Sequence, residues 1–226
     1  MGRMDSMHQS SGIDIDKKRM WLALLPAIVI VVLIGLAFLM SRVEGLSLGI
    51  FQQGILPREV RGLPGIVFSP FVHSSVSHLF SNLLPLLLLI GFLFYFYNKI
   101  AFRSLLSLWL LSGFFTWLIG RQAYHVGASG LVFALVFFLF FSGLFRKYIP
   151  LVAVSMVIAF IYGSMVWSMF PFAEYVDADL SWEGHLSGAF AGLIIAFVFR
   201  RHGPQKPPVE WEEEEDENEE EVNPEH

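Results

Sequence analysis

Apolar residues in this chain gather into long runs divided by short polar stretches, and run length rather than periodicity within a run carries the first information. A hydrocarbon layer about 30 Å thick takes roughly 20 residues of helix to cross. Six runs approach that length: Met20 to Met40, Leu79 to Tyr97, Ser104 to Gly120, Ser129 to Phe145, Ile149 to Pro171, and a shorter one from about Gly184 to Phe199. Each is predicted to be a membrane-spanning helix. A further stretch, Leu63 to Val72, is short and holds Pro64 and Pro70, so an interfacial segment or structured loop is expected there. Residues 1–19 are polar. The run after them is too long for a signal-peptide core and lacks a small-residue cleavage site, so it reads as a retained span.

Composition agrees with a membrane environment: 55% of the 226 residues are hydrophobic and 15% charged, unlike a water-soluble domain of this size. The net charge of −5 hides an asymmetry. Eleven of the twenty acids lie from Glu210 onward, whereas all fifteen Lys and Arg precede that point. The body is therefore basic, but its positive charges are too dispersed to suggest nucleic-acid binding. They carry topology instead, because cytoplasmic flanks of spans retain Lys and Arg. Lys17, Lys18 and Arg19 precede the first span, Lys99 and Arg103 separate the second and third, Arg146 and Lys147 the fourth and fifth, and Arg200, Arg201 and Lys206 follow the sixth. The other loops are poorer in bases, and the one from Ala173 to Glu183 has four acids and none. Arg42, Arg58 and Arg61 in the first loop weaken the pattern, partly offset by Glu44 and Glu59. Both termini are expected in the cytoplasm. The expected divisions are a polar N-terminal segment, 1–19, a six-span domain, 20–201, and an acidic, proline-bearing tail, 202–226, unable to fold alone. With no cysteine, disulfide and thiol chemistry are excluded.

Hydrogen-bonding side chains inside spans are expensive and call for a partner or a task. Four stand out: His78 and Asn82 at the start of the second run, Ser129 at the start of the fourth, and His185 at the start of the sixth. Even-numbered spans begin outside. The charge pattern alone therefore puts all four near the outer face at similar depth. His78 and Asn82, four apart, share a helix face; structural interhelical bonding would account for them equally well. Ser129 lies between small residues in Gly127-Ala128-Ser129-Gly130, where a substrate carbonyl could approach, although a serine at a helix start is commonly a cap. His185 opens a series of glycines at 184, 188 and 192, a small-residue ridge suited to close helix packing. Simple packing explains that ridge too. If the ridge meets the fourth span, His185 comes beside Ser129, and histidine is the base that activates a serine hydroxyl near neutral pH. Metal ligation is the weaker use of these histidines, since no carboxylate or thiol completes a ligand set.

Together these residues resemble the rhomboid family of intramembrane serine proteases. The likeness runs from about Trp21 to Arg201 and rests on His73-x4-His78-x3-Asn82, Gly127-Ala128-Ser129-Gly130, and His185 followed by Gly188 and Gly192. The resemblance implies an all-α membrane protein, six transmembrane helices in a compact bundle. It implies an endopeptidase that cuts transmembrane segments of membrane-protein substrates near the outer membrane face, with no cofactor. Ser129 would be the nucleophile and His185 the general base. His78, Asn82 and the Ser129 amide would form the oxyanion hole, with His73 in support; such donors are worth about 10² to 10³ in rate each. Substrates would enter sideways between spans two and five, past a gate at Phe170, Pro171 and Phe172.

Two positions depart from the family pattern. Phe133 stands where the best-known members have a tyrosine stacked on the histidine, so the ring is kept and the hydroxyl lost. Arg61-Gly62 lacks the adjacent tryptophan of many first loops, which leaves anchoring to the stretch from Ile66 to Phe71. The competing function is a catalytically inactive rhomboid-like chaperone or binding protein, but such relatives usually lack the serine or the histidine. A bacterial inner membrane is the expected location, and the glycine ridge leaves the oligomeric state open.

Overall fold

The computed structural model describes residues 2–43, 54–172 and 180–208, and in the first helix side chains from Asp16 onward. Along these residues run α1 (Gly2–Met40), the single-turn α2 (Gly65–Phe68), α3 (Val76–Phe96), α4 (Ala101–Ile119), α5 (Ser129–Arg146), α6 (Ile149–Tyr162) and α7 (Trp182–Val198). A 3₁₀ segment, Gly163–Met169, prolongs α6. Among the described residues, five stretches are long and apolar enough to cross a bilayer: Asp16–Met40, Val76–Phe96, Ala101–Ile119, Ser129–Arg146 and Ile149–Met169. α7 is apolar but only 17 residues long, matching the shorter sixth run. The protein is thus an all-helical, multi-pass membrane protein. The acidic tail beyond residue 208 and the acidic stretch 173–179 lie outside the described residues.

Where helices begin follows from their caps. Ser75 accepts a hydrogen bond from the His78 amide at 3.1 Å and starts α3; Ser181 accepts from the Gly184 amide at 3.1 Å and starts α7. Both satisfy backbone donors that a helix N-terminus leaves orphaned. α1 begins at Gly2, well before its apolar run, so the first span is the apolar end of a longer rod. The stretch from Leu63 to Val72 folds into α2 and a 3₁₀ turn, Ser69–Phe71. Pro64 and Pro70 sit at the starts of these turns, where a missing N–H costs nothing.

α5 is the axis of the bundle. In its most apolar window 61% is buried, against 22% for Asp16–Met40 and for Ile149–Met169. It packs on α3, α4, α6 and α7, while α1 lies outside α3 and turns Trp21, Leu25, Val29 and Leu36 outward. At the end of the bundle opposite Ser129, Arg146 reaches from α5 to the carbonyls of Phe199 and His202, 2.6 and 2.8 Å away. A cation there satisfies the orphaned acceptors of the α7 C-terminus and suits its dipole. Ser155 of α6 donates to the Phe140 carbonyl at 2.8 Å, holding α6 to α5 near the same end. Towards the other end the two helices leave a cleft of about 320 Å³ walled by Phe133, Phe137, Phe140, Ile158, Tyr162 and Met165, among others.

Candidate active site

Ser129 is the first residue of α5, and the cap position belongs to Ala128, which makes no side-chain cap. The capping use considered for this serine is therefore not what the fold employs. Its side chain is half-buried. His185 stands at the fourth position of α7, placed there by the Ser181 cap, and is buried.

Glycines set the crossing of α5 and α7. A Cβ at Gly188 would fall against the Gly130 carbonyl and 2.9 Å from Phe133 Cβ, and one at Gly192 would fall 2.7 Å from Phe137 Cβ. Only a bare backbone fits at such an approach. The turn after Ser129 therefore lies directly on the turn after His185. One turn along α5, Phe133 stacks on the His185 ring, with centroids 4.3 Å apart and planes 12° from parallel. The other edge of the imidazole meets the segment after α6: Nδ1 lies 3.0 Å from the Ser168 carbonyl oxygen and 3.1 Å from its hydroxyl.

α3 closes the site from a third side. Gly127, with φ of +99°, has a conformation that side-chain-bearing residues rarely adopt, and a Cβ there would fall 2.6 Å from His78 Nε2. Gly127 thus lets the histidine ring reach the backbone leading into Ser129. His78 Nδ1 pairs with the Ser74 hydroxyl at 3.2 Å. Asn82 is buried and donates from Nδ2 to the His78 carbonyl at 2.7 Å, so one of its two N–H groups is spent within its own helix. His73 lies before α3, buried, with its ring edge-on to His78, centroids 5.0 Å apart. Burial first, and the neighbouring His78 second, push its pKa down from 6.5 to about 4. A mostly apolar cavity of about 30 Å³, to which Ser112, Thr116, His125, Ser129 and Ser181 contribute polar groups, has room for a water or two.

A family model described as the Rhomboid domain matches residues 61–202. The chain belongs to the rhomboid family. Among relatives of this rhomboid, an uncharacterised protein of Mycobacterium tuberculosis is 35% identical over 175 residues, covering 74% of this chain and 71% of that one. An uncharacterised protein of Mycobacterium bovis matches to the same extent. One from Mycobacterium leprae is 33% identical over 155 residues, covering 65% of this chain and 60% of the relative.

The structure of this rhomboid gathers Gly127, Ser129, Gly130, Phe133, His185, Gly188 and His78 in one place, with Asn82 and His73 behind His78. It adds residues that the sequence reading passed over. Arg121 forms an ion pair with buried Glu183, Nη1 to Oε2 2.9 Å, and donates to the Leu180 carbonyl at 3.1 Å. His125 Nε2 is 3.1 Å from the Arg121 carbonyl and Nδ1 2.6 Å from the Ser181 hydroxyl. A carbonyl can only accept, so Nε2 carries the proton and Ser181 donates to Nδ1. Burial lowers the His125 pKa, in keeping with this neutral form. These contacts tie the loop before α5 to the start of α7. Arg121, the single base between the third and fourth apolar runs, and the acid-rich loop are the visible signal for the ion pair; Ser168 gives none.

Proposed function

We propose that this rhomboid is an intramembrane serine endopeptidase in which Ser129 is the nucleophile and His185 the general base. The observation that carries the reading is the Gly130–Gly188 approach, which packs the Ser129 turn on the His185 turn while Phe133 holds the imidazole flat. Ser129 Oγ attacks the scissile carbonyl as its proton passes to His185 Nε2. The same proton then goes to the departing amine as the peptide bond breaks. Negative charge on the carbonyl oxygen is met by the Ser129 amide at the α5 N-terminus, where backbone donors point outward. His78 faces that point across Gly127, and the remaining Asn82 N–H is the third donor. Water for deacylation fits in the small cavity beside Ser129, which Ser112, Thr116, His125 and Ser181 also line.

The substrate class is the transmembrane segment of another membrane protein, opened locally because a helix hides its carbonyls in hydrogen bonds. Six spans, with α7 the shortest and both termini in the cytoplasm, put the site near the outer face. Access runs between spans two and five, beneath the aromatic cluster of Trp167, Phe170 and Phe172, whose last two rings stack at 5.6 Å. The mycobacterial relatives favour a bacterial inner membrane. The test is reconstitution in liposomes with single-span reporter proteins: cleavage within the span, lost in Ser129→Ala, supports the reading, and cleavage that persists in that variant refutes it.

A further inference from the structure

The catalytic histidine must present an unprotonated nitrogen to the serine, and an imidazole can do so only if its other nitrogen holds the ring proton. Soluble serine proteases fix that tautomer with a buried carboxylate. The carboxylate nearest His185 in sequence among the described residues, Glu183, is bound instead to Arg121.

What His185 Nδ1 meets is Ser168, at 3.0 Å from the carbonyl oxygen and 3.1 Å from Oγ. The Ser168 hydroxyl lies 2.7 Å from the Met165 carbonyl and donates to it. A hydroxyl has one proton, and Met165 takes it. Both Ser168 oxygens therefore offer lone pairs alone to the imidazole. Two acceptors facing one ring nitrogen require that nitrogen to be the donor. Nδ1 carries the proton, and Nε2 is left with its lone pair.

We propose that Ser168 is a positioning residue for His185: its carbonyl and hydroxyl together fix the Nδ1–H tautomer, the task a carboxylate performs in soluble enzymes. The inference rests on the dyad reading for its catalytic meaning. During attack the Ser129 proton moves to Nε2 and later to the departing amine, while the Nδ1 proton stays between the two Ser168 oxygens. These oxygens stabilise the transient imidazolium as neutral dipoles. The contact also makes the base depend on the 3₁₀ segment Gly163–Met169, whose Met169 packs with Phe133 and Ala189.

The full chain labelled with ¹⁵N in its histidine rings, in detergent, tests this by NMR, with His185 assigned from the signals lost in His185→Gln. Nδ1 should resonate as protonated and Nε2 as unprotonated in wild type, and Ser168→Ala, which keeps the carbonyl but loses the hydroxyl, should raise the share of the opposite tautomer without making it predominant. Kinetically, loss of one neutral hydrogen bond predicts that inactivation by a fluorophosphonate slows about three- to tenfold at saturation, with its half-saturating concentration unchanged. Ser168→Thr should restore both readouts and Ser168→Val, its shape match, neither. A predominant Nε2–H tautomer in wild type, or wild-type inactivation in Ser168→Ala and Ser168→Val alike, overturns the proposal. Absence of Ser129 labelling in wild type would sink the protease reading instead, and the ring spectrum would still decide whether Ser168 sets the tautomer.

Discussion

Phe133 lies flat on His185, ring centroids 4.3 Å apart and planes 12° from parallel, one helical turn beyond Ser129. Both residues are buried, so the stack is shielded from water. A ring contact of this kind is worth about 0.5–1.5 kcal/mol beyond burial. Phe133→Tyr keeps the ring and should act within about twofold of wild type. Phe133→Leu keeps most of the volume but loses the stack, and should slow turnover of a reporter substrate about three- to tenfold with little change in KM. Equal rates for all three proteins would show that the stack does not hold the base.

The α5–α7 crossing should fail at a single methyl group. Gly188→Ala sets a Cβ against the Gly130 carbonyl and 2.9 Å from Phe133 Cβ, and overpacking of this sort costs about 1–3 kcal/mol. Gly163→Ala meets nothing within 4 Å and should be neutral within about 0.5 kcal/mol. Thermal unfolding in detergent compares the two; a Gly188→Ala protein as stable as Gly163→Ala would contradict the crossing.

Acid should loosen the region around His73. Its folded pKa is about 4 against 6.5 for a free ring, through burial and the proximity of His78. The unfolded chain thus takes a proton that the folded one refuses. The contribution is fully present above pH 6.5 and is lost as pH falls towards 4, the loss reaching about 2 kcal/mol by pH 5. His125, also lowered by burial, acts with the same sign. The fall in unfolding temperature between pH 7 and pH 5 should be smaller in His73→Gln than in wild type, and equal falls would remove His73 from the account.

Topology has its own check. A reporter fused after Glu210 should prove cytoplasmic, because the basic cluster Arg200, Arg201 and Lys206 follows the sixth apolar run. An outside reading would overturn the proposed six spans.

Much of this was legible in the sequence because lipid imposes simple rules. Run length located the helices, and polar residues in apolar runs located His78, Asn82, Ser129 and His185. The glycines at 188 and 192 indicated the α5–α7 crossing because little else permits helices so close. Other features left weaker traces. That α5 is the central helix could not be read from hydropathy, since a span facing lipid is as apolar as one facing protein. Ser168 was passed over because a serine in a span commonly bonds to its own helix backbone, as Ser168 also does to Met165. The missing tryptophan beside Arg61 pointed to different anchoring of the first loop, and the structure supplies it from α4. Trp109 donates to the Val67 carbonyl at 3.1 Å and Trp117 to the Glu59 carbonyl at 3.0 Å.

The central claim is that Ser129 is a nucleophile activated by His185. Labelling of the detergent-solubilised protein with a fluorescent fluorophosphonate measures this without knowledge of the substrate. Wild type should label, Ser129→Ala should not, and His185→Ala should label at least about 100-fold more slowly, the lower bound for lost acid–base assistance. Equal labelling of all three proteins would contradict the dyad.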